Sequence, residues 1–100
     1  MRMKALGLIE VVGFTAGVEA LDAMLKTANV ELVSTENSLG GRLVTIMVQG
    51  DIVDVKEAVE NGKAAVGQVG NIASSVCINN PHDDVKKLVK QSSEKLKVGE

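Results

Sequence analysis

The sequence predicts an α+β fold, a ferredoxin-like βαββαβ sandwich followed by a C-terminal helix. Three observations carry this reading. Short runs of β-branched and aliphatic residues alternate with two segments of helical periodicity. Gly, Asn and Asp punctuate nearly every junction. The second and third apolar runs follow each other with only a polar turn between them, so they form a hairpin rather than a crossover. Four strands then form one sheet with two helices on one face, leaving the other face partly open.

Lys4 to Val12 is short, aliphatic and closed by Gly13, the pattern of a buried strand. Thr15 to Ala28 reads as helix, with Leu21, Met24, Leu25 and Ala28 at helical spacing and Glu19, Asp22 and Lys26 elsewhere around the cylinder. Asn29 ends it, and Val30 to Thr35 is the second strand. Glu36 to Gly41 is a polar turn, and Arg42 to Gln49 the third strand. Asp51 is placed to cap a second helix whose apolar stripe is Ile52, Val55, Val59, Gly62, Val66 and Val69. Gly62 and Gly67 within it cost about 1 kcal/mol each relative to alanine, which implies compensation by close approach of another backbone. Gly70-Asn71 ends this helix, and Ile72 to Ile78 is the fourth strand, broken by Asn79-Asn80-Pro81. From His82 a last amphipathic helix carries Val85, Leu88, Val89 and Leu96 on one side and five lysines elsewhere.

One hundred residues make one domain, read as residues 4–81 with an amphipathic extension over 82–100. A chain of this size buries only about 65% of its unfolded surface, yet 45% of the residues are apolar and Phe14 is the only aromatic. Surplus aliphatic surface of this kind points to burial against copies of itself. A net charge of −2 implies no strongly charged partner, neither nucleic acid nor membrane surface. Cys77 is the sole cysteine, so there is no disulfide framework and a reducing compartment is expected. No apolar run reaches the roughly 18 residues of a membrane span, and Glu10 interrupts the first apolar run too early for a secretory signal.

The residues that invite a functional reading each have an ordinary one beside it. Lys26 complements the dipole at a helix end. Gly40-Gly41 suits a hairpin needing positive φ; as a phosphate cradle it lacks a following helix and a Gly-Lys-Ser/Thr. Arg42 either stands free at the hairpin or pairs with Glu36 across it. His82 has no ligand partners beyond Asp83-Asp84, which suit the first turn of a helix. Cys77 is a small core residue, and Glu10 has no acid–base partner in view. No paired carboxylates, His–Asp or Cys–His set or metal cluster stands out, so no catalytic residue, metal or cofactor is expected.

At residue level the chain resembles the single-domain, hexamer-forming shell proteins of bacterial microcompartments. The resemblance runs from residue 4 to 84 through ordered, correctly spaced motifs. These are ALGLIEVVGF at the start, Asp22-Ala23-Met24-Leu25-Lys26-Thr27-Ala28-Asn29-Val30 at the first helix end, Gly40-Gly41, Leu43-Val44-Thr45, Val48-Gln49-Gly50-Asp51, and Pro81-His82. It implies a homohexamer that tiles with other shell proteins around encapsulated enzymes in the bacterial cytoplasm, passing small metabolites through a central pore. It places Ser38, Leu39, Gly40, Gly41 and Arg42 at that pore, and Lys26, Asn29, Asn80 and His82 at the contact between hexamers. Three departures stand out: Asn80 replaces the arginine usual before Pro-His, the loop before Gly40 is one residue longer, and Arg42 stands where glycine is common.

The rival functions are weaker. An RNA-binding sheet of this fold stacks bases on aromatics, which the third strand lacks, and the acidic balance opposes it. A small regulatory ligand-binding oligomer, with Gly40-Gly41 as its ligand loop, is opposed only by the motif match.

Overall fold

The computed structural model describes residues 4–40, 42–67 and 71–98, the side chains of Ala73 and of residues 93–98 excepted. The elements run β1 Ala5–Val12, α1 Phe14–Thr27, β2 Glu31–Ser38, β3 Leu43–Gly50, α2 Ile52–Val66, β4 Asn71–Asn79 and α3 Asp83–Val98. The strands form one antiparallel sheet in the order β2-β3-β1-β4, the ferredoxin-like arrangement.

β1 alternates between the two faces of the sheet. Ile9 and Val11 join the main core with Ala16, Ala20 and Met24 of α1, Val44, Ile46 and Val48 of β3, and Ala58, Val59 and Val66 of α2. Leu6 points the other way, into a second cluster with Val33, Met47 and Val89 of α3, flanked by Leu8, Ile78 and Val85. The face expected to be partly open is therefore covered in part by α3. Ser92 seals that contact through a buried hydroxyl–hydroxyl hydrogen bond to Ser34. Leu96 lies outside the described side chains.

Several boundaries differ from the sequence reading, each for a local reason. β2 continues to Ser38 because Glu36, Asn37 and Ser38 pair with Thr45, Val44 and Leu43, so these three residues belong to the strand and not to the turn. Of the expected stripe on α1, Met24 is buried and Leu21 and Ala28 pack against the core, whereas Leu25 is exposed; Ala16, Gly17 and Ala20 complete the buried face. Small residues win because α1 lies close on the sheet: a Cβ at Gly17 would stand 2.9 Å from a Val44 methyl. α2 stops at Val66, and Gly67 is its C-cap rather than an interior residue. Val69 and Gly70 lie outside the described residues. The close neighbour of Gly62 is the Met24 side chain, whose Cγ would be 2.8 Å from an added Cβ, and not a backbone. Asp51 occupies the N-cap of α2 but makes no capping hydrogen bond; its carboxylate meets the Lys4 ammonium at 3.1 Å.

Candidate functional site

The sheet register sorts the singled-out residues into two groups at opposite ends of the strands. Val12 stands opposite Leu43, and Leu43 opposite Ser38, so the β2–β3 tip lies at the end where β1 turns into α1. At the other end Ala5 stands opposite both Gly50 and Asn79. An eight-residue strand separates the two ends by about 25 Å. α1 starts at the first end and returns toward the second, carrying Lys26 with it.

Ser38, Leu39, Gly40 and Arg42 come together at the exposed tip; Gly41 lies outside the described residues. The Arg42 N–H donates to the Leu39 carbonyl at 3.3 Å, and the Arg42 carbonyl accepts from the Gly13 N–H at 2.7 Å. The tip is thus tied to the β1–α1 turn. Gly40 takes φ 68°, as the sequence suggested, but Leu39 also adopts φ 53°. A left-handed leucine costs about 1–2 kcal/mol, and this one holds its side chain 73% exposed. Nothing in composition marked Leu39 as special; the longer loop was the only signal. The cross-hairpin pairing of Arg42 with Glu36 does not form, because the register sets Glu36 opposite Thr45. Thr45 instead donates to Glu10, as does Ser74, both at 3.3 Å. Glu10, which sequence reading left without a partner, is thereby held on the sheet face beside α3.

At the opposite end, Lys26 is 72% exposed and its ammonium lies 3.0 Å from Asp22 one turn back. Thr27 accepts a 2.8 Å hydrogen bond from Asn61, fixing the end of α1 to α2. Asn29 is exposed, with its carbonyl close against Gly50. Asn80 adopts φ 52° while its N–H donates to the Lys4 carbonyl at 2.7 Å. Asparagine tolerates that left-handed turn, which gives a backbone reason for the residue found there. His82 accepts the Asp84 N–H on Nδ1 at 3.1 Å, and its carbonyl accepts from Val85 and Lys86. His82 therefore caps α3, a role that the sequence reading had assigned to no residue. Lys26, Asn29, Asn80 and His82 all belong to this end of the molecule.

Cys77 is half-buried against the main core, and burial raises its thiol pKa, opposed in part by the positive charges of Lys56 and Lys63 and reinforced slightly by Glu60. Among the described residues no three of His, Cys, Asp or Glu are grouped to hold a metal ion. No described helix is long and apolar enough to cross a membrane.

The residues singled out in the sequence thus fall into two groups at opposite ends of one sheet. Comparison with known proteins gives the chain a family. Residues 5–81 match the family model described as BMC domain. The chain belongs to that family. It is 46% identical over 89 residues to the bacterial microcompartment shell protein PduA of Citrobacter freundii, spanning 89% of this chain and 95% of that one. To the shell protein EutM of Escherichia coli K12 it is 43% identical over 86 residues, covering 86% and 88%. A crystal structure of a microcompartment protein from Desulfitobacterium hafniense superposes with a TM-score of 0.80 at 31% identity. That match covers 87% of this chain and about half (49%) of the other. This BMC-domain chain is a structural shell subunit of a bacterial microcompartment, placed in the bacterial cytoplasm with its relatives.

Proposed function

We propose that this shell subunit closes into a six-membered ring with the β2–β3 tips around a central opening and the Lys26 end at the outer rim. The observation that carries the reading is the register. The tip residues and Lys26, Asn29, Asn80 and His82 lie at opposite ends of one sheet, as a disc with a pore and a tiling edge requires. The rings tile with one another and with other shell proteins around encapsulated enzymes, and the chain itself performs no catalysis. Metabolites cross at Ser38, Leu39, Gly40, Gly41 and Arg42. Native mass spectrometry and electron microscopy test the assembly: hexamers and flat sheets are expected, and a protein that stays monomeric at micromolar concentration overturns the reading.

The opening favours small anions, because Arg42 is not neutralised within its own hairpin. One charge about 8 Å from a centred anion contributes roughly 0.5 kcal/mol in water, so six contribute about 3 before screening. A Debye length of about 8 Å reduces this to about 1 kcal/mol, a several-fold enrichment. Flux of a small carboxylate through reconstituted shells, set against a neutral molecule of equal size, measures it. An unchanged ratio in Arg42→Ala refutes the assignment.

A further inference from the structure

α3 is held to the sheet by a narrow contact. Val85 and Val89 pack on Leu6, Val33 and Met47, and Ser92 meets Ser34. Among the described residues no ion pair joins α3 to another element. The pairs of His82 with Asp84 and of Lys86 with Asp83 both stay within its first turn. The turn before the helix is fixed: Pro81 is buried, and the Asn80 N–H donates to the Lys4 carbonyl at 2.7 Å. Release of α3 therefore begins at its N-cap, which is His82.

This cap works through a nitrogen. Nδ1 accepts the Asp84 N–H at 3.1 Å, which requires that it carry no proton. The preferred N-cap residues Ser, Thr, Asp and Asn accept through an oxygen instead. Imidazole is the side chain whose charge changes between about pH 5 and 8. Protonation turns Nδ1 from acceptor into donor, so capping and proton binding exclude each other on one atom. The protonated ring has another partner, since the Asp84 carboxylate lies 3.7 Å from Nδ1. That pair returns little, because the two side chains are 75% and 80% exposed. A cation at the start of a helix also opposes the helix dipole. Asp83 is within 4.0 Å of the Lys86 ammonium. The charges that neighbouring elements bring to this end are engaged elsewhere: Lys4 with Asp51 at 3.1 Å, and Glu31 with Gln49 at 3.2 Å. Glu10 and Glu36 stand opposite Thr45, nearer the tip. The loss of the cap thus outweighs what the charged ring gains.

We propose that His82 is a pH-sensitive latch on α3: the neutral ring caps the helix and keeps it docked, and the protonated ring releases it from the sheet. Release uncovers Leu6, Val33 and Met47, so a face that is covered at neutral pH becomes an apolar surface under mildly acidic conditions. The device belongs to the single protomer and does not depend on the ring. A side-chain cap shifts the opening equilibrium of its helix about fivefold.

Hydrogen exchange of the full-length protein tests the latch. It is read as protection of the α3 amides relative to those of α2 at pH 8 and pH 5.5, each corrected for the intrinsic rate. Carboxylates stay ionised at both values. Relative protection of α3 is expected to fall about fivefold at pH 5.5 in the wild type. His82→Asn supplies an oxygen cap that does not titrate and is expected to keep high protection at both values, and His82→Ala to show low protection at both. Binding of 8-anilinonaphthalene-1-sulfonate, a probe of uncovered apolar surface, is expected to rise at pH 5.5 in the wild type but not in His82→Asn. Equal protection of the wild type at the two values overturns the proposal, as does a fall that persists in His82→Asn. A His82→Ala protein as well protected as the wild type at pH 8 overturns the cap, and dye binding that does not rise overturns the release. Should His82→Ala fail to fold, the wild type and His82→Asn decide by themselves.

Discussion

Gly17→Ala is the substitution whose outcome best tests how closely α1 lies on the sheet. By helix propensity alone it stabilises, since alanine in a helix interior is favoured over glycine by about 1 kcal/mol. The structure opposes this. A Cβ at position 17 meets Val44 at 2.9, 3.1 and 3.2 Å, at both methyls and at its Cβ. Val44 is a buried β-branched residue on β3, its χ1 is stiff, and it has no flexible end to swing aside. The helix must instead rise by roughly half an ångström to restore ordinary contact, opening the packing of Ala16, Ala20 and Met24. Overpacking of this kind costs about 1–3 kcal/mol, so the net loss is about 0–2 kcal/mol, with the upper half expected because the contact is with a branch point. At about 4–8 °C per kcal/mol for a domain of this size, a loss of 1–2 kcal/mol lowers Tm by roughly 5–15 °C. Gly62→Ala is the internal control. Its new Cβ meets Met24 at Cγ and Sδ, on a flexible side chain, so the propensity gain and packing loss nearly cancel. Thermal melts of the three proteins at one protomer concentration, which removes the contribution of assembly to Tm, decide the matter. A Gly17→Ala protein as stable as the parent, or more so, shows that α1 is free to move and that the close packing is not a constraint.

Lys26→Asp is expected to keep the ring but abolish flat sheets in electron micrographs, because it places carboxylates at the proposed rim; sheets like those of the parent would assign Lys26 to its Asp22 pair alone. Ser34→Ala strands the buried Ser92 hydroxyl and should cost about 1–3 kcal/mol in urea denaturation, with the double Ser34→Ala, Ser92→Ala variant losing less. Cys77 should react with iodoacetamide at neutral pH more slowly than a free cysteine, since burial keeps it protonated. The folded protein holds that proton to higher pH than the unfolded chain, so this group's contribution is complete below the unfolded thiol pKa and is lost as pH rises through the folded value. Denaturation midpoints across the alkaline range, compared with Cys77→Ala, measure it.

The sequence by itself determined the order of elements, the fold class and the family. Those depend on local periodicity, on turn residues and on motifs that are contiguous in the chain. The β2–β3 hairpin with Gly40 at its turn, the helix bearing Lys26 and the Pro81-His82 turn were all legible in that way. What the sequence did not show depends on distances between segments far apart in it. Leu25 is left exposed while Ala16, Gly17 and Ala20 join Met24 in the buried face, because α1 lies so close to Val44 that only small residues fit there. Asp51 looks like a cap until Lys4 claims its carboxylate, and Glu10 looks unpartnered until β3 and β4 bring Thr45 and Ser74 to it. Arg42 and Glu36 are close in sequence, yet one strand register parts them. That α3 folds back over Leu6, Val33 and Met47 is likewise invisible locally, since an amphipathic helix states that it needs an apolar partner without naming which face supplies it.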